Sequence, residues 1–558
     1  MVKLFNLNNM KKIIFKIFHY SHIILFFIFF LVGLLIYKDY GFNIDETFNR
    51  KSGFYWLNFL AEFFRFEDFS LLTNEKLNKI IDFTMPWGEY AKVYSIIFDV
   101  PAAFLELVIN INNPNKFYML RHLLTFLLFF LGIIYFYKLI LNRFCSRYLA
   151  LIGSAFLALT PRLFGDAFHN SKDIIFLTFF ILSIYYFFKN LDNPNLKNTI
   201  LFALFSSIST SLRLFGIIFP ISFLFIYFLS ILSQKDEYKK INIILIYLFF
   251  YIFFLIMHWP YLWSNPAKNF ILYIANLNKF GPELVYYYGE FYNSKLVPFS
   301  YLPIWIFIST PFTNILLFLS GFLYCTKIYI NKLFLIEKSN SDYDFWKNHN
   351  EKKDFIILII FLVLFIFGTL FSPKHYNSWR IFYFLNFFIV YFSVFFINFI
   401  FKNRRSKKKI IVFNFILIIF FLFNIYRIII YHPYQSIYFN SLISREFKNK
   451  FEADFFGLSG IEFLREIIKT DNSPEIKIGV NSWYPLWRML ELIEDQDKKR
   501  IVFIYDDINK ADYVYSNGIY DVNINKSNKY TLNNNFKIYR TLIIDDVKIY
   551  EVYKRIKP

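Results

Sequence analysis

The chain has 558 residues, a net charge of +20, 57% hydrophobic residues and a mean hydropathy of +0.40. That apolar content exceeds the roughly half found in ordinary globular domains and argues against a soluble enzyme. Only Cys145 and Cys325 are present, so no disulfide framework is expected. The basic excess would suit nucleic acid, but its placement assigns it to topology. The 80 Phe residues are not read as an aromatic binding surface.

In chain order, apolar runs near the roughly 20 residues needed to cross a bilayer fall at about 18–37, 119–140, 148–165, 172–188, 198–213, 215–233, 241–258, 301–325, 355–371, 381–400 and 410–430. The first follows basic residues, yet it is too long for a signal peptide and lacks a small-residue cleavage site. It reads as an uncleaved anchor. With the N-terminus inside, Lys3, Lys11, Lys12 and Lys16 are cytoplasmic. So are Lys138, Arg143 and Arg147, then Lys189 and Lys197, then Lys235, Lys239 and Lys240. Six lysines across 327–353 and the cluster Lys402, Arg404, Arg405, Lys407, Lys408 and Lys409 follow on the same side. The opposite short loops carry only Lys172, Lys374 and Arg380, with Arg162 and Arg213 at helix ends. This positive-inside asymmetry predicts a polytopic α-helical membrane protein of about eleven transmembrane helices with its C-terminus outside. Nucleic acid is not an expected partner.

Three longer segments then lie outside. Residues 38–117 include the amphipathic patch Tyr90–Ile109, and 259–300 is rich in Tyr and Trp suited to a membrane interface. Beyond the membrane body, 1–431, the composition changes. Strand-like runs at Ile476–Val480, Ile501–Tyr505, Tyr513–Tyr515, Lys537–Ile544 and Val547–Tyr553 alternate with helical patterns at Leu458–Lys469 and Pro485–Ile493. Residues 432–558 thus read as a small soluble α/β domain. There is no P-loop, dinucleotide fingerprint or metal-spaced Cys/His set, which disfavours an ATP-driven machine.

Under this topology the polar, chemistry-capable residues collect at the outer membrane boundary. Asp45 and Glu46 lie in Gly41-Phe-Asn-Ile-Asp-Glu-Thr47, just beyond the first span. Pro161-Arg-Leu-Phe-Gly-Asp-Ala-Phe-His-Asn-Ser-Lys-Asp173 packs Arg162, Asp166, His169, Lys172 and Asp173 into thirteen residues, where each is costly to dehydrate. Helix capping accounts for Asp173 alone, and snorkelling for Arg162 or Lys172, but not for the set. Arg213 sits in Ser211-Leu-Arg-Leu-Phe-Gly216, His258 precedes an aromatic run ending at Trp263, and Lys374-His-Tyr-Asn-Ser-Trp-Arg380 holds two cations and His375. His432-Pro-Tyr-Gln-Ser-Ile-Tyr-Phe-Asn440 leaves the last span, where orientation of the C-terminal domain is the natural role.

Pro161–Asp173, Arg213–Gly216, Trp379–Arg380, His432–Asn440 and Phe451–Ser459, with the acidic pair after the first span, resemble glycosyltransferase family 39. These are GT-C fold enzymes related to protein O-mannosyltransferases and to the aminoarabinose transferase acting on lipid A. The likeness runs over roughly residues 20–470. It departs at Tyr376-Asn-Ser-Trp-Arg380, where the family pattern would read Tyr-Asp-Gly-Trp-Arg, so no carboxylate role falls there.

The resemblance implies a GT-C-like fold and transfer of a sugar, with inversion, from a polyprenyl-phosphate donor to an acceptor hydroxyl on a glycan, lipid or protein. The residues suit that chemistry. Asp45 is the candidate general base and Glu46 its helper or structural partner. Arg162, Lys172, Arg213, Lys374 and Arg380 are the cations that would stabilise the departing phosphate. Asp166, His169, Asn170, Asp173, His258 and His375 are candidate substrate contacts. A divalent cation bridging carboxylate and phosphate is compatible with this set, though no spacing requires it. The expected location is the plasma (inner) membrane, if the source is bacterial. A transporter or flippase of lipid-linked sugar is the alternative, but its charges belong near mid-span, whereas these cluster at helix ends. A scaffold acting through its C-terminal domain would leave Asp45, Glu46 and the 161–173 loop without purpose.

Overall fold

The computed structural model describes residues 7–80, 93–232, 237–277, 284–334, 346, 348–371, 375–403, 407–520 and 531–556. The chain is mostly helical. Among the described residues, six helices are long and apolar enough to cross a membrane: Pro114–Phe144, Asp173–Asp192, Phe312–Lys332, His349–Leu370, Arg380–Asn403 and Lys408–Tyr431. Arg147–Ala158 and Pro161–His169 make a seventh if counted as one span bent by 65°. Three shorter apolar helices occupy Ser21–Ile36, Leu214–Leu229 and Ile241–Met257. These are the helices of an integral membrane protein.

The differences from the expected runs have local causes. At 148–165 the helix breaks before Pro161, whose ring and missing N–H end one segment and open the next. The expected run 301–325 divides around Pro311 into Tyr301–Ser309 and Phe312–Phe334. Leu196–Leu212 is helical, but five of its last seven residues are Ser or Thr, and it falls short as a span. Those hydroxyls turn inward: Ser206 and Thr210 meet the Tyr247 and Tyr251 hydroxyls at 3.0 and 2.8 Å. Asp173–Asp192 is central, with 83% of its apolar window buried, whereas Lys408–Tyr431, at 11%, shows its apolar side chains outward. Phe fills the bundle: Phe180 meets Phe219, Phe384 and Phe388 at centroid distances of 4.9, 5.1 and 5.7 Å.

At the bundle end far from Asp45, charges are paired. Asp354 accepts from Arg143 and, at 2.7 Å, from the Tyr391 hydroxyl. Lys353 Nζ reaches Asp192 at 2.7 Å and Asn142 at 2.8 Å. Such satisfied pairs are what a buried charge requires.

After the membrane helices comes a five-stranded sheet of order β4-β3-β5-β7-β6: β3 is Ile476–Val480, β4 Ile501–Ile504, β5 Tyr513–Ser516, β6 Phe536–Ile544 and β7 Val547–Arg555. The β3–β4 and β3–β5 pairs are parallel, the others antiparallel. Within 259–300, a hairpin of β1 (Leu284–Tyr287) and β2 (Glu290–Asn293) bridges to this region through Tyr287 and Phe451. In the amphipathic patch, Asp99–Val108 is a helix, and residues 90–92 lie outside the described residues.

Candidate active site

The Asp45 turn is built by close backbone approach. A Cβ on Gly41 would stand 2.2 Å from the Leu458 carbonyl oxygen, so only glycine lets residues 41–46 lie against 456–458. Ile44 N donates to Phe456 O at 3.0 Å, and Asp45 N to Asn43 Oδ1 at 2.8 Å. Asn43, buried, also joins His169 through its Nδ2, 3.2 Å from Nδ1. Asp45 then stands at the N-cap position of the helix Glu46–Phe63 without a side-chain capping bond; its side chain is 36% exposed, and Arg380 Nη1 donates to its Oδ2 at 2.7 Å. Burial raises the Asp45 carboxyl, but Arg380, Lys172 and Arg213 outweigh it and hold it below its ordinary value.

Glu46 has a different environment. Its Oε2 accepts Asn43 N at 2.8 Å, and its Oε1 lies 2.9 Å from His122 Nε2, all of it buried. These contacts tie two segments together and make it a structural partner of the turn.

The 161–173 loop supplies the adjacent wall. A Cβ on Gly165 would meet Gln435 Cβ at 2.9 Å, so this short helix packs against the 432–440 segment. Asn170 Nδ2 bridges Asp166 Oδ2 and Asp173 Oδ2 at 3.0 and 3.1 Å. Asp173 pairs with Arg213. Lys172 holds its ammonium 4.3 Å from the Tyr94 ring centroid and 4.6 Å from that of Phe48, within electrostatic reach of Asp45.

Arg162 is brought elsewhere. It is 2% exposed, donates Nε to Tyr438 O and Nη1 to Ser378 Oγ, both at 2.9 Å, and lies over Trp305 at 5.1 Å. Its contacts clamp the 376–380 loop to the 432–440 segment. Ser378 stands at φ +59, in the left-handed region where the family pattern has glycine. Its hydroxyl accepts from Arg162. The same loop is held by Glu452, which accepts from Ser378 N and, at 2.9 Å, from Asn377 Nδ2. Burial, against those hydrogen bonds, pushes Glu452 up to about 7, and Asp454 up to about 6.

Two expected substrate contacts, His375 and His258, have neighbours of their own. His375 is 1% exposed, sits between Tyr301 and Phe382, and is 3.2 Å from Gly368 O. Burial pushes it down to about 4. His258 meets Ser207 Oγ at 3.3 Å. Lys374 lies outside the described residues. Among the described residues no three His, Cys, Asp or Glu side chains form a metal-holding group. The nearby carboxylates Asp45 and Asp173 are each paired with an arginine, which leaves them poorly suited to hold a divalent cation.

Three contributors escaped the sequence reading. His122 is hidden inside an apolar run, Glu452 lies in a recognised motif without an assigned role, and Arg488 belongs to no motif. Arg488 Nη1 donates to Ile44 O at 2.9 Å.

No family model matches the chain, and no curated protein matches it. Among solved structures it is similar to the archaeal oligosaccharyltransferase AglB from Archaeoglobus fulgidus in complex with an inhibitory peptide and a dolichol-phosphate. Identity there is 12%, coverage 90% of this chain and 70% of that one, and the TM-score 0.45. It is also similar to ArnT from Cupriavidus metallidurans bound to undecaprenyl phosphate, at 11% identity, 96% and 98% coverage and TM-score 0.41. Likeness at this level assigns no activity, and the functional argument rests on the residues themselves.

Proposed function

We propose that this chain is an inverting membrane glycosyltransferase, moving a sugar from a polyprenyl-phosphate donor to an acceptor hydroxyl on the extracytoplasmic face. The observation that carries the reading is the Asp45–Arg380 pair, with Lys172 and Arg213 around it, beside the ends of apolar helices. In the reaction, the acceptor oxygen bonds to the anomeric carbon while the bond from that carbon to the phosphate oxygen breaks. The electron pair leaves with the polyprenyl phosphate, and the acceptor proton passes to Asp45. One displacement on the side opposite the leaving group inverts the centre.

The cations set the order of events. While Arg380 pairs with Asp45, the carboxylate is a weak base. A donor phosphate competes for the guanidinium, and transfer of that hydrogen bond to phosphate raises Asp45 basicity once substrate is bound. Arg380, Lys172 and Arg213 then offset the charge that grows on the leaving group. The prenyl chain stays in lipid, which accounts for a site at helix ends. The loop-charge asymmetry supports an outward-facing position for this end.

Membrane vesicles containing the protein are supplied with polyprenyl-phosphate sugars labelled in the sugar and, separately, in the phosphorus. The reading expects sugar label on an acceptor in the opposite anomeric configuration, with phosphorus label retained by lipid. Movement of the intact sugar-phosphate lipid across the bilayer, without cleavage, would establish the transporter alternative instead.

A further inference from the structure

The C-terminal region reaches the Asp45 turn directly. Arg488 lies on the 3-10 segment Leu486–Leu492, and its Nη1 donates at 2.9 Å to the carbonyl of Ile44, the peptide immediately before Asp45. The segment is itself anchored to the membrane body: Asn115 Nδ2 donates to Leu492 O at 3.2 Å and the Tyr118 hydroxyl to Glu491 at 3.4 Å. The turn is therefore gripped at Ile44 from both backbone directions, its N–H by Phe456 and its carbonyl by Arg488.

We infer that Arg488 is a positioning residue for Asp45, through which the C-terminal sheet region sets the geometry and charge of the reaction site. The inference rests on the glycosyltransferase reading. A guanidinium is suited to this place because it fixes a carbonyl by directed donors while its charge acts on the next side chain. Burial pulls Arg488 down to about 10, which leaves it cationic at neutral pH. The groups facing Asp45 are Arg380, Lys172, Arg213 and Tyr94, with Arg488 from the C-terminal side. Removing Arg488 deletes one cation from this set and releases the backbone that aims the carboxylate.

The test measures kcat and donor KM against pH in membranes carrying equal amounts of full-length wild type, Arg488→Gln, Arg488→Lys and Asp45→Asn. In Arg488→Gln, kcat is expected to fall roughly tenfold with donor KM little changed, because a displaced base costs turnover more than binding. Its acid limb should also move to higher pH by about half a unit or more, since losing a nearby cation raises a carboxyl pKa. Arg488→Lys keeps the charge and should leave the limb where it is. A scaffold role for Arg488 would not move the limb. If Arg488→Gln fails to accumulate, Arg488→Met, which keeps a buried stem without an amide to satisfy, is measured in the same way. An unmoved acid limb in the neutral variant overturns the inference alone. An Asp45→Asn enzyme as active as wild type removes Asp45 as the base and the inference with it, whereas absence of sugar transfer by wild type overturns the glycosyltransferase reading itself.

Discussion

Asp45 and Glu46 are neighbours in sequence that face different surroundings. Asp45 reaches open space beside Arg380, while Glu46 is closed in by Asn43 and His122. Glu46→Gln keeps an acceptor for Asn43 N but loses the charge facing His122, at a cost of about 1–3 kcal/mol for a buried polar contact. It should lower the melting temperature in detergent, while turnover per folded molecule falls by less than about tenfold. A loss as deep as that of an Asp45 variant would give Glu46 a direct part in the chemistry. Glu452 makes a second prediction. Its carboxyl ionises at about 4.3 in an unfolded chain and is pushed up to about 7 in the fold. A raised folded value means its contribution to stability is full below about 4.3 and is lost as pH rises through 7. Melting temperature should therefore decline between pH 5 and 8, and Glu452→Gln should flatten that decline. An unchanged profile in the variant would remove Glu452 as its source. The motif around Glu452 was legible, but its partners were not, because Asn377 and Ser378 lie 75 and 74 residues away.

Among the elements, the β6–β7 turn is docked against the last membrane helix. Asp545 at this turn accepts from Arg427, from the Tyr431 hydroxyl at 2.6 Å and from Lys448 at 2.7 Å. The Arg427 and Lys448 side chains are only 8% and 5% exposed, so Asp545→Ala would strand two buried cations. Breaking such a pair costs about 3 kcal/mol or more. Limited proteolysis should then cut the 432–558 region faster than in wild type while the membrane helices stay intact; equal rates would show that the latch does not hold the sheet. The strands themselves were readable, since β3 through β7 fall on runs of alternating or β-branched residues. The breaks at Pro161 and Pro311 were not, because hydropathy continues across a bend. Serines in Leu196–Leu212 weakened the span signal for the same reason in reverse: their hydroxyls are satisfied by backbone and Tyr partners and cost little there.

For the whole molecule, the charge pattern of the loops and the placement of the site make one connected statement. If the basic 402–409 segment is cytoplasmic, the helix Lys408–Tyr431 carries the chain outward, and the sheet region joins Asp45 on the outer face. A C-terminal reporter active only in the cytoplasm should therefore be silent, and a bright one would put the sheet region on the wrong side for an outward-facing donor. The grouping of the site was partly legible: Asp45, Lys172, Arg213 and Arg380 stood out as costly charges at helix ends. What separated them from Arg162 and His375, equally prominent in sequence, was burial. Arg162 is held by Tyr438 and Ser378, and His375 contacts Gly368.

The most direct test is transfer by Asp45→Asn, measured with one labelled polyprenyl-phosphate sugar and one acceptor at matched protein levels in the membrane. Asparagine keeps the size and one oxygen for Arg380 but cannot take a proton at neutral pH. The variant should insert, fold and bind the lipid donor as wild type does, yet lose about 10²–10⁴-fold in turnover, the usual worth of a general base. Retention of more than about a tenth of wild-type turnover would place the base elsewhere and contradict the account.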